Sequence, residues 1–210
     1  MLKRHVVIKA KRINPKINVK IDYKTLVFFT LMVCGVILGV FISEKGSDEW
    51  HRFFTTVIKS YLHFEESKSI LAIFSRIFLP FFTLYLITYL VGMCGMGVPF
   101  LTIIPLILGG YFGVEITQYY INFGLSGIGC CALIYAPIYA IATATLIKCC
   151  CQAFDISKEI FFYSITGKGD GKPIFKEYSL KHLFFLVPII IGAGISTLFY
   201  TLFGDLFSFI

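Results

Sequence analysis

Apolar residues run almost unbroken through the middle of this chain: between Ile77 and Ile147 the only formally charged side chain is Glu115. A helix needs roughly 20 apolar residues to cross a bilayer, so this stretch has room for three crossings. Backbone chemistry cuts it twice. Gly92, Gly95 and Gly97 stand just before Pro99; a glycine cluster ends one helix, and proline suits the first turn of the next. Asn122 to Gly127 forms a second break, turn-rich and uncharged. With the apolar runs on either side, the predicted spans are 25–43, 77–94, 98–121, 127–147 and 182–204. Both breaks are short, so the three central spans are expected to be antiparallel neighbours. The expected fold is all-α: one polytopic membrane helix bundle over 25–204, with about five transmembrane helices and a short external C-terminus at 205–210.

Composition agrees with the pattern. Of 210 residues 57% are hydrophobic and 15% charged, against about 25% charged in an ordinary soluble domain, and the mean hydropathy is +0.82. A second sizeable soluble domain has no room. The net charge of +7 is concentrated at the N-terminus. Lys3, Arg4, Lys9, Lys11, Arg12, Lys16, Lys20 and Lys24 face a single acid, Asp22, within 1–24. Basic segments stay on the cytoplasmic side, so this tail is expected inside a cell membrane, touching anionic headgroups. It lacks the aromatic interleaving of a nucleic-acid binder apart from Tyr23. Five spans then put the C-terminus outside. Segments 1–24 and 148–181, both inside by this count, hold 14 of the 19 Lys and Arg residues, as the positive-inside rule requires. Thr25 to Ser43 leads into Glu44-Lys45-Gly46, with no A-x-A-like cleavage site, so it is expected to be an uncleaved first span.

Segment 44–76 is expected outside. Phe53, Phe54, Val57, Ile58, Tyr61 and Leu62 recur at the spacing of one helix face. This external amphipathic helical segment either lies in the outer bilayer interface or docks a partner. Segment 148–181 is expected to be a cytoplasmic loop. Its Gly167–Pro173 stretch lacks the order of a phosphate loop and suits a plain turn.

Catalytic chemistry finds little foothold. No histidine lies in the interior of a predicted span: His5, His51 and His63 lie in polar segments, and His182 is the first residue of the fifth. There is no H-E-x-x-H and no G-x-S-x-G. Ser126-Gly127 has no intramembrane base to activate it. Neither the seven cysteines nor the Cys149–Cys151 run offers metal spacing or a disulfide framework; juxtamembrane acylation is the one functional option there. No enzyme and no cofactor are expected. Glu115 is the exception to the apolar run, with Gln118 and Tyr119 at i+3 and i+4. An intramembrane acid is by default a functional residue, but no Lys, Arg, His or Asp inside a span completes a relay.

Small-residue spacing points instead to packing. Gly35 and Gly39 form one GxxxG motif, and Gly109 and Gly113 form another. Each clears a face for close approach of a second helix, either inside the bundle or toward a partner, and leaves room for a homo-oligomer. In order, the basic N-terminal segment, Gly35/Gly39, the external amphipathic stretch, Gly92-x-x-Gly95-x-Gly97-x-Pro99, Gly109/Gly113, the short glycine turn and Ala136-Pro137 resemble the stage II sporulation protein M family. The resemblance covers roughly 25–150. It implies a non-enzymatic membrane scaffold that recruits peptidoglycan-degrading partners, the stage II sporulation proteins D and P, during forespore engulfment. The alternative is a small transporter or permease subunit with a polar path near Glu115.

Overall fold

The computed structural model describes residues 22–46, 69–166 and 175–203. The basic tail up to Ile21, the amphipathic residues Phe53, Phe54, Val57, Ile58, Tyr61 and Leu62, the Gly167–Pro173 stretch and residues 205–210 lie outside them. The described residues are helical and contain no strand: α1 (Tyr23–Lys45), α2 (Ile70–Gly92), α3 (Val98–Cys130), a π-helical turn (Cys131–Tyr135), α4 (Ala136–Thr166) and α5 (Phe175–Phe203). Large apolar side chains such as Phe29, Ile37, Leu90, Ile107, Phe184 and Leu198 cover the outer surface. Helices that are apolar all round belong in lipid. Among the described residues, four helical stretches are long and apolar enough to cross a membrane, which marks a membrane protein.

The longest of the four, Val98–Ile165, has 68 residues. Straight, it would measure about 100 Å, more than three times the roughly 30 Å hydrocarbon core. It is folded on itself. Gly124 has φ 60° and ψ −138°, a backbone conformation that residues with a side chain rarely adopt. Past it, the chain returns antiparallel. Tyr135 meets Tyr119, Tyr139 meets Phe112, and Ile147 and Cys150 share a cluster with Ile104 and Leu101. The reversal expected over 122–127 is therefore made at one glycine rather than by an open loop.

α1 and α3 run parallel through their glycines. A Cβ built on Gly35 would lie 2.2 Å from the Leu106 carbonyl oxygen, and one on Gly39 2.2 Å from that of Gly110. In return, Gly109 would meet the Met32 oxygen at 2.0 Å and Gly113 that of Val36 at 2.3 Å. Each glycine turns a Cα hydrogen toward a facing carbonyl, a contact worth about 0.5–1 kcal/mol.

α2, α4 and α5 form the other half. Ile73, Ile77, Phe81 and Tyr85 make a stripe at four-residue spacing and pack with Ile138, Ala142, Leu146 and Cys149 of α4 and Ile189 and Ala193 of α5. The turn between α2 and α3 uses its glycines for contact. A Cβ at Gly92 would meet the Tyr178 hydroxyl at 2.3 Å and the Ala153 Cβ at 2.7 Å; one at Gly97 would lie 2.1 Å from the Val91 oxygen. Ser157 of α4 donates to the Cys94 carbonyl at 2.6 Å and fastens the turn. Pro99 sits in the first turn of α3.

α4 does not end where the apolar run ends. It continues from Lys148 to Thr166, a stretch free of Gly and Pro that hides Cys149, Cys150, Ala153 and Ser157 and exposes Lys148, Asp155, Lys158 and Glu159. Asp155 pairs with Lys24 at the start of α1. The three consecutive cysteines thus lie on a helix, with Cys149 and Cys150 fully buried and Cys151 half-buried.

Replacing Gly109 by Ala should force α1 and α3 apart and cost about 1–3 kcal/mol, as over-packing of tight contacts does. Gly194, with nothing within 4 Å of a built Cβ, should accept Ala without loss. Thermal unfolding in detergent, followed by circular dichroism, compares the two; equal melting temperatures would contradict this packing.

Candidate functional site

Two polar constellations sit inside the bundle. One lies at the end of α3 near Gly124, the other where α2, α4 and α5 meet at the opposite end.

Glu115 belongs to the first. It is half-buried, and its carboxylate accepts the hydroxyl of the buried Tyr139. One turn along α3, Tyr119 donates to Tyr135 at 3.1 Å. Glu115 and Tyr119 therefore meet two tyrosines, themselves four residues apart, on the returning arm. Phe112 and Tyr111 close the ring around Tyr139, with centroids 4.2 and 6.4 Å away. Leading up to Tyr135 the helix widens into its π turn, Cys131–Tyr135, just before Pro137. Proline has no N–H to donate and clashes with the carbonyl four residues back; a widened turn at Leu133 relieves that clash. Such turns recur at functional sites.

Gln118 does not join this group. It is buried and donates to Ser43 of α1 at 2.9 Å. Asn122 donates in turn to the Gln118 carbonyl at 2.8 Å. The three polar residues expected together near 115–119 thus serve two interfaces, Glu115 and Tyr119 toward α4 and Gln118 toward α1.

The second constellation centres on His182, which the sequence placed at a span boundary and the fold places in the core. It is fully buried, and neither ring nitrogen has a hydrogen-bond partner among the described residues. Tyr85, Tyr89 and Tyr178 surround it with centroids 4.8, 5.1 and 5.2 Å away. The Tyr85 hydroxyl donates to the His182 carbonyl at 2.8 Å, Tyr178 donates to the Tyr89 carbonyl at 3.1 Å, and Tyr89 and Ser179 share a bond of 2.8 Å. These bonds latch α2 to α5. A sequence signal existed: Tyr85 and Tyr89 stand four apart, as do Tyr178 and His182, so each pair shares a helix face. Among the described residues, no three His, Cys, Asp or Glu side chains are placed to share a metal ion, and the seven cysteines are free thiols.

Tyr139→Phe should destabilise the protein by about 1–3 kcal/mol, because it leaves the Glu115 carboxyl without its donor. Combining it with Glu115→Leu should recover most of that loss, since removing both partners of a buried bond is nearly neutral. A double-mutant cycle on thermal stability measures the coupling, and additive losses would contradict the bond.

No protein-family profile, no curated protein and no solved structure matches this chain.

Proposed function

We propose that this chain is an integral membrane scaffold subunit that holds peptidoglycan-degrading partners at a cell membrane during forespore engulfment. The partners would be the stage II sporulation proteins D and P. The observation that supports it most is architectural. The residues that carry the resemblance to the stage II sporulation protein M family, Gly35, Gly39, Gly92, Gly97, Gly109 and Gly113, are sites of helix contact and tight turn. The intramembrane polar groups Glu115, Gln118 and Tyr119 are bound to other helical segments. A bundle braced in this way suits a platform. In this reading the N-terminus is cytoplasmic, segment 44–76 is the external docking segment, and the C-terminus is external.

A second reading, a transporter or permease subunit, draws on one observation: the Glu115–Tyr139 pair borders the π turn. Flux through proteoliposomes that Glu115→Gln abolishes would favour it over the scaffold.

Two measurements test the favoured reading. A tagged chain solubilised in mild detergent should co-purify with proteins D and P. The triple change Phe54→Ser, Ile58→Ser and Tyr61→Ser should cut that recovery at least several-fold without lowering the melting temperature. A folded chain that retains no cell-wall hydrolase would contradict the scaffold. For orientation, Cys94 is the exposed thiol of the α2–α3 turn. A membrane-impermeant maleimide should label it in inside-out vesicles and not in intact protoplasts; the reverse pattern would contradict the orientation.

A further inference from the structure

Between α1 and α4 the bundle leaves an open apolar groove of about 720 Å³. One wall runs along α1 from Thr25 to Ile37, and the other along α4 from Lys148 back to Ala136. Each wall runs over 13 residues, about 18 Å of helix from end to end, close to one leaflet of a roughly 30 Å hydrocarbon core. Phe112 of α3 and Tyr139 of α4 are at the deep end. The exposed small residues Ala140 and Ala144 keep the α4 wall low.

The lining carries one formal charge, Lys148, and it stands at the mouth beside Thr25. Lys148 is exposed and makes no ion pair among the described residues, whereas nearby Lys24 is bound to Asp155. Five residues deeper along α4, about 7.5 Å, Thr143 also lines the groove. It is nine-tenths buried, and its hydroxyl lacks a hydrogen-bond partner among the described residues.

From this placement we infer that the groove is a binding site for one anionic glycerophospholipid. An acyl chain lies between α1 and α4, and Lys148 holds the phosphate. Order of depth carries the assignment: an exposed cation at the mouth, then apolar and aromatic surface for the depth of one leaflet. This is independent of the scaffold reading.

The test uses the full-length chain, delipidated in non-ionic detergent and titrated with dioleoyl phosphatidylglycerol or dioleoyl phosphatidylcholine, bound lipid being counted by native mass spectrometry. One phosphatidylglycerol should be retained per chain, about fivefold more tightly than phosphatidylcholine, the effect of one cation near an anionic headgroup. Lys148→Gln should erase that preference. Ala140→Phe, at an exposed position that does not support the core, should displace both lipids by tenfold or more, and Ala144→Val should weaken both to a smaller degree. Leu198→Phe, on the exposed side of α5, should change neither. Melting temperatures measured alongside confirm that each variant is folded. Equal affinity for the two lipids in the unaltered chain, a preference that survives Lys148→Gln, or binding indifferent to both Ala140→Phe and Ala144→Val would each overturn the assignment in favour of unspecific annular lipid.

Discussion

The contact on which the bundle depends is the reciprocal approach of α1 and α3. Four glycines, two on each helix, let backbone meet backbone, each facing a carbonyl oxygen where a side chain would otherwise stand. Lipid tails are as apolar as leucine, so no hydrophobic force drives two such helices together. Close packing and weak Cα–H···O contacts do so instead, and both require the absence of a Cβ. The contact also sets direction. Gly35 lies against Leu106, Gly39 against Gly110, and Ser43 is bonded to Gln118, so the helices run parallel and the chain between them must travel back through α2.

The rest of the architecture follows from that return. α2 comes back beside α4 and α5, the Gly92–Pro99 turn reverses it in the space that glycine leaves, and Gly124 reverses it again. Polar side chains at each level are then matched to partners on other helical segments: Lys24 with Asp155 at one end, Gln118 with Ser43 and Glu115 with Tyr139 toward the other. The groove between α1 and α4 is a consequence of the same geometry. α1 is drawn onto α3 by its glycines, and on its other flank the small side chains Ala140 and Ala144 do not fill the gap.

Hydropathy and glycine placement made the all-α membrane class, the breaks at 92–99 and 122–127 and the small-residue faces legible before any coordinates. What remained hidden has physical reasons. GxxxG spacing marks a face but carries no register, so it does not say whether its partner is another helix of the same chain or another molecule. Hydropathy falls at Lys148, yet helix propensity does not, and α4 runs on for 18 further residues to Thr166. Gln118 and Tyr119 look like neighbours of Glu115, but consecutive residues on a helix point about 100° apart, enough to send them to different interfaces. His182 reads as a boundary residue because it stands at the edge of an apolar run; only the tertiary fold brings Tyr85 and Tyr89 around it.

Whether the two glycine faces meet within one chain is the claim from which the rest descends. The direct measurement is cross-linking in native membranes of a cysteine-free chain carrying Ser43→Cys and Gln118→Cys, using a short bifunctional thiol reagent. Ser43 and Gln118 are hydrogen-bonded at 2.9 Å and lie just beyond the glycine contact. The expected product is an intramolecular link at high yield that migrates as a monomer, absent when Thr25→Cys replaces Ser43→Cys. Linkage only between chains, or equal linkage from position 25, would mean that the faces pair between molecules or in another direction, and the account of this bundle would fail.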